Sequence, residues 1–228
     1  MYTRIKERLS LLFCLLCFNI FAQKNSFGSI PSLNLNKGFK NNWHLNLKIE
    51  SRNLFNENID SEVDSWNYKY LHSDYAILTS KKIGLNNALA AGILFRFRDQ
   101  KIYRRYIQQF TLIKKYASFR MAHRFSLDQT TAQKEPLSYR FRYRITLELP
   151  LNGTSVDSKE WYLKINNEYL NLLEDQTYNL EFRVVPLVGF KFSDKNKLES
   201  GLDYRLESLM EGNKINKLWL SLNWYLIL

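Results

Sequence analysis

Residues 137–150, LSYRFRYRITLELP, set an aromatic or aliphatic residue against a polar one, position by position, for the length of a long strand. Strand side chains alternate between two faces, so Tyr139, Phe141, Tyr143, Ile145, Leu147 and Leu149 share one face. Arg140, Arg142, Arg144, Thr146 and Glu148 share the other. A helix would mix the two sets. A soluble sheet packed on one face gives the same pattern, so alternation alone leaves the solvent of the apolar face open.

The pattern recurs along the chain. Trp43, Leu45, Leu47 and Ile49 oppose His44, Asn46, Lys48, Glu50 and Arg52, and residues 66–78 form a less regular candidate. Leu89, Ala91, Ile93, Phe95 and Phe97 oppose Arg96 and Arg98; residues 103–113 are mixed; Phe119, Met121, Phe125 and Leu127 oppose Arg120, Arg124 and Asp128. After the opening segment, Trp161, Leu163 and Ile165 oppose Lys164, Asn166 and Glu168, and Leu180, Phe182 and Val184 oppose Glu181 and Arg183. Leu198, Leu202, Tyr204 and Leu206 oppose Glu199, Asp203, Arg205 and Glu207. Last, Leu218, Leu220, Leu222, Trp224, Leu226 and Leu228 oppose Trp219, Ser221, Asn223 and Tyr225. This reading gives ten strands from Trp43 onward, with 27–35 as a further strand or a segment lying against the barrel.

Length separates the two solvents. Strands of soluble proteins usually run about 5 to 6 residues, whereas a strand crossing a bilayer at a tilt needs about 9 to 11. Several segments here sustain alternation beyond that. The expected fold is all-β: an antiparallel up-and-down transmembrane β-barrel of about ten strands, or twelve if the N-terminal stretch contributes. Three arginines of one strand facing lipid would together cost roughly 6 to 12 kcal/mol, enough to cancel an ordinary protein's stability. They are therefore expected in the lumen. Trp43, Tyr139, Trp161, Phe192 and Trp224, near strand ends, are the expected interfacial girdle.

The first residues point to export. Arg4, Lys6 and Arg8 precede an apolar run from Leu9 to Phe21, and Ala22 is a small residue suited to cleavage. The run is short of the roughly 20 residues of a spanning helix. The expected organisation is a cleaved signal peptide over 1–22 and one barrel domain over 23–228. Cys14 and Cys17 both lie in the signal, which leaves no disulfide framework and no cysteine metal ligand beyond it. The formal charge of +11 would suggest nucleic acid in a cytosolic protein. Export argues against that partner, as does alternation, which puts arginines and aromatics on opposite faces.

HRFSLDQ (123–129), YRFRYRITLELPLNG (139–153), EWYLKINNEYL (160–170) and LESGLDYRLE (198–207) carry a likeness to a known family. At these stretches the chain resembles the domain of unknown function 2490 family of gram-negative outer-membrane β-barrel proteins. The resemblance implies a single barrel in the outer membrane, delivered by the outer-membrane assembly machinery and surrounded by outer-membrane lipid. It supplies no catalytic residues.

The expected lumen cluster comprises Arg96, Arg98, Arg120, Arg124, Arg140, Arg142, Arg144, Glu148, Glu168, Glu181, Arg183, Asp203 and Arg205. Cross-strand carboxylates bracing arginine forks would seal a narrow barrel, whereas surplus guanidinium groups would suit a narrow conduit for a small anionic solute. A non-enzymatic barrel, structural or a small anion-preferring conduit, is the leading expectation. The alternative is an outer-leaflet lipid hydrolase: His72 and Asp74 share a face and are half of a triad, lacking a serine from a neighbouring strand. His44 is expected in the lumen and His123 on the lipid side. No phosphate-binding glycine loop or metal-binding histidine cluster appears in the sequence, and no cofactor is expected.

Overall fold

Alternation at this length produces strands throughout. In the computed structural model, which describes residues 24–58, 67–210 and 214–228, eleven strands of 12 to 17 residues close into one barrel. They are β1 (Lys24–Gly38), β2 (Trp43–Asn58), β3 (Lys69–Lys82), β4 (Asn87–Arg98), β5 (Lys101–Lys115), β6 (Arg120–Thr131), β7 (Ser138–Pro150), β8 (Glu160–Glu174), β9 (Thr177–Ser193), β10 (Asn196–Glu207) and β11 (Ile215–Ile227). The segment proposed as a signal peptide lies outside the described residues.

The count of about ten strands is corrected to eleven, because the 27–35 stretch is a full strand. Each strand pairs antiparallel with its neighbour in sequence, except that β1 and β11 pair parallel, in register from Lys24↔Ile215 to Asn36↔Ile227. An odd number of up-and-down strands can close in no other way. One end of the barrel, the near end, carries Leu228 and the β1–β2, β3–β4, β5–β6, β7–β8 and β9–β10 connections; the far end carries the others.

Turn chemistry follows from the residues present. Asp99-Gln100 and Asp175-Gln176 each hold both residues at positive φ (48° and 61°, 45° and 62°), the twist of a two-residue hairpin whose sense matches that of its strands. Both lie at the far end. The nine-residue β7–β8 connection, residues 151–159, lies at the near end, so loop length alone does not orient the barrel.

Two bulges interrupt the pairing of β2. The register shifts lie at Phe27/Gly28 against β1 and at Arg52/Asn53 against β3, while Leu54 continues the inward face of Glu50 and Arg52 by plain alternation. Leu54, Ile30 and Trp219 then form a small apolar cluster inside the barrel, with Leu71 packed against it. Trp219 covers Gly28, directly opposite it across the seam, where a Cβ would lie 2.5 Å from the indole. Tyr162 covers Gly189 in the same way. Bare glycines opposite large rings let the rings lie flat against the wall.

Candidate functional site: a charged lumen

The inward face is a lattice of ion pairs. On β2, β9 and β10, carboxylate and guanidinium stand two residues apart, so alternation brings both to the same face. Glu50 accepts from Lys48 (2.6 Å) and Arg52 (3.4 Å), Glu181 from Arg183 (2.5 Å), and Asp203 from Arg205 (2.8 Å). Across β3 and β4, Arg96 donates through Nε and Nη2 to the two oxygens of Asp74 at 2.8 and 2.7 Å. This is the planar fork-to-fork geometry that suits a guanidinium.

Glu168 and Asp128 brace the opposite wall. Glu168 on β8 lies within 4 Å of Arg142, Arg144 and Arg183. Asp128 on β6, with no solvent exposure, accepts from Arg140 (3.4 Å) and Arg142 (3.0 Å). A second cluster sits nearer the Leu228 end. Glu199, also fully buried, receives Tyr162 Oη (2.8 Å), Lys164 Nζ (2.9 Å to each oxygen) and Tyr225 Oη (3.2 Å), while Lys197 Nζ lies 4.7 Å from the Tyr225 ring centre.

The cluster read from sequence is placed as follows. Arg96, Arg124, Arg140, Arg142, Arg144, Glu168, Glu181, Arg183, Asp203 and Arg205 line the middle of the lumen. Arg120 and Glu148 meet at 3.4 Å at its near-end mouth. Arg98 ends β4, half-exposed, and bonds Asp99 of the adjoining turn at 3.1 Å. Sequence reading passed over Arg105, whose strand looked mixed because Arg104 and Gln108 face outward while Ile107 faces in. Arg105 is buried and donates to Thr130 Oγ1 at 3.1 Å. The clue was available in the inward set Arg105, Ile107, Gln109 and Thr111, which keeps strict period two.

The outward face is mainly apolar. Trp43, Trp161, Phe192 and Trp224 are exposed around the near end, and Tyr139 is exposed toward the far end. Trp161, Phe190 and Phe192 pack ring on ring, and Trp224 Nε1 donates to Asn196 Oδ1 at 2.8 Å. An outward groove of about 700 Å³ is lined by Met121, Leu147, Leu163, Ile165, Val188 and Leu202, among others. His123 faces outward and is hydrogen-bonded to the Tyr143 hydroxyl at 2.9 Å. In the β9–β10 turn, a hydrogen bond from Lys191, with help from Ser158, draws the Asp194 carboxyl below the usual aspartate range.

His72 Nε2 lies 4.0 Å from Asp74 Oδ1, too far for a hydrogen bond, and both Asp74 oxygens are occupied by Arg96. Among the described residues, no group of three or more His, Cys, Asp or Glu is placed to hold a metal ion.

A family model described as a protein of unknown function, DUF2490, matches residues 27–216. The chain belongs to this family. The match runs from early in β1 to the start of β11, so it takes in nearly the whole barrel and every strand of the charged lattice. No curated protein and no solved structure matches the chain.

Proposed function

We propose that this DUF2490 chain is a non-enzymatic transmembrane barrel of a gram-negative outer membrane, whose lumen is closed by its own ion-pair lattice. The observation that carries the reading is the inversion of polarity. Buried Asp128, Glu168, Glu199 and Arg205 sit on the axis side, while Tyr75, Ile77, Phe141, Ile165, Leu202 and Leu222 stand exposed outside. In water such an outer surface would be an aggregation liability far above the patch size that soluble monomers tolerate. In lipid it is the contact surface, and closure of the barrel leaves no unpaired strand edge.

The lattice also bears on conduction. Along β7 the side-chain exposure rises from 14% at Arg140 to 21% at Arg142 and 30% at Arg144. Along this wall the side chains are packed more tightly toward the far end. Asp128, Glu168 and Glu199 are buried among the cations that bind them, which favours the structural form of the reading over a through-conduit. The hydrolase alternative is weaker, because Arg96 has already taken the carboxylate that would orient His72.

Planar-bilayer recording of refolded protein tests the proposal. The expected record inserts without stepwise conductance, and insertion is checked separately by protection from added protease. Reproducible open steps at low voltage would replace the closed barrel with a conduit. Failure of the folded chain to enter lipid at all would remove the membrane reading itself.

A further inference from the structure

The positive surplus of the lumen is concentrated on one wall. On the side built by β2–β4, β9 and β10, each guanidinium of the lattice has its own acid: Arg52 with Glu50, Arg96 with Asp74, Arg183 with Glu181, Arg205 with Asp203. On β5, β6 and β7 the inward residues include Arg105, Arg120, Arg124, Arg140, Arg142 and Arg144, against Asp128 and Glu148 alone. Glu168 of the next strand is shared among three arginines. Among the described residues, Arg124 has no carboxylate within 4 Å and no side-chain hydrogen bond, and the hydroxyl of buried Ser126 has no side-chain partner.

These unengaged donors meet at one place. A cavity of about 20 Å³, partly open, is lined by Gln109, Arg124, Ser126, Arg142, Arg144 and Glu168. That is room for a single water-sized occupant. The register explains the convergence: Gln109 stands opposite Ser126, Ser126 opposite Arg142, and Arg124 opposite Arg144. Three guanidinium groups around one carboxylate that Arg144 and Arg183 already help to neutralise leave a positive hole, and a buried positive charge without a partner is strongly unfavourable.

We infer that Arg124, Arg142 and Arg144, with Gln109 and Ser126, hold one small inorganic anion of halide size as a resident counter-ion of the lattice. Volume selects the class. A monatomic anion fits where a tetrahedral oxyanion would have to push the wall apart. The Glu168 oxygen lining the cavity sets the upper limit on charge, since a second negative charge would sit beside it. The site lies on the near-end side of Arg140, where Arg142 and Arg144 are progressively more exposed, so exchange with solution runs toward the near-end mouth. This deepens the reading of a closed, charged lumen by naming what completes its charge balance.

The test uses refolded protein in a zwitterionic detergent with chloride as the probe. The readout is the excess ³⁵Cl line width against chloride concentration at constant ionic strength set with gluconate. Wild type should give a saturable excess that bromide removes. Arg124→Gln should weaken chloride at least about tenfold, as expected for loss of a charge-assisted hydrogen bond, while Arg98→Gln, with the same charge change at an exposed strand end, should leave it unchanged.

Ser126→Ala, a milder change, should weaken chloride a few-fold with the barrel intact by circular dichroism and heat-shifted gel mobility. Absence of a saturable excess in folded wild type, meaning water alone in the cavity, overturns the site. So does equal displacement by sulfate, or equal binding in Arg124→Gln. None of these outcomes depends on whether bilayers conduct, so failure of the site and failure of the membrane reading are told apart.

Discussion

Ile77→Arg puts the polarity of the barrel to a quantitative test. Ile77 is exposed on β3, opposite Leu47 of β2 and Ile93 of β4, both apolar and outward. A strand tilted by about 40° climbs roughly 2.6 Å along the barrel axis per residue. Lys81 Nζ lies 5.3 Å from the ring centre of Trp43, an arrangement suited to a membrane surface. That level is about 10 Å from Ile77, against a half-thickness of roughly 12 Å for the apolar band of such barrels. On the proposed membrane reading the side chain is thus close to the midplane, where an arginine costs about 2 to 4 kcal/mol. The folded population relative to unfolded should fall roughly 30- to 700-fold, by the usual tenfold per 1.4 kcal/mol. Guanidinium titration of protein refolded into vesicles, followed by tryptophan fluorescence, measures this, with Ile77→Ala separating the lost side chain from the added charge. A surface residue in water tolerates the same change within about 0.5 kcal/mol. If Ile77→Arg and Ile77→Ala are equally mild, and the chain folds without detergent or lipid, the outward face meets water and the reasoning fails.

Other expectations follow from the lattice and the rings. Asp128→Asn leaves Arg140 and Arg142 without their shared acid in a site of no solvent exposure; it should cost about 3 to 5 kcal/mol in the same titration. Removing an acid at an exposed pair such as Arg98–Asp99 should change stability by less than about 1 kcal/mol. Gly189→Ala drives a methyl into the Tyr162 ring and should destabilise by about 1 to 3 kcal/mol; combining it with Tyr162→Ala should recover part of that loss, which a double-mutant cycle reads out. His72→Ala should leave lipid release from labelled vesicles at the background rate, since Asp74 serves Arg96 rather than a catalytic base.

How much of this was legible before the fold was known comes down to which features are local. An i, i+2 acid and base on a strand share a face whatever the strand pairs with, so Glu181–Arg183 and Asp203–Arg205 could be placed before any topology was known. Which arginine lacks an acid depends on register between strands, and no single strand carries that information. Arg124 and Arg140 look alike in the chain; only pairing sets Arg140 opposite Asp128 and Arg124 opposite Arg144. Leu71, skipped where the register passes from Arg52↔His72 to Asn53↔Tyr70, packs on the inner apolar cluster although its neighbour His72 is also buried, and a bulge shifts phase without a residue signature of its own. The polar outward residues Arg104 and Gln108 blurred β5 for the same reason that an alternating pattern is informative at all: a few exceptions in fifteen positions remove most of the contrast.

The strand that escaped the count is also the one with a different chemistry, and the two facts have one origin. From Ser26 to Asn34, β1 presents Ser26, Gly28, Ile30, Ser32 and Asn34 inward, without a charge, so it lacks the arginine signature that made the others legible. Its parallel seam with β11 is held by neutral groups: Ser32 Oγ donates to Asn223 Oδ1 at 2.7 Å, and Asn216 Nδ2 to Asn25 Oδ1 at 3.2 Å. Pro31 has no amide hydrogen to offer, and the pairing of β1 with β2 is interrupted there between Ser29↔Asn53 and Ser32↔Glu50. A parallel ladder is slightly weaker per residue than an antiparallel one. The compensation is steric: Trp219 lies over Gly28, its indole 5.3 Å from the Arg52 guanidinium, and Ile30 and Leu54 close round it. Closure of the barrel thus rests on an apolar cluster within an otherwise charged lumen, placed where an ion pair is missing and where the ladder is interrupted.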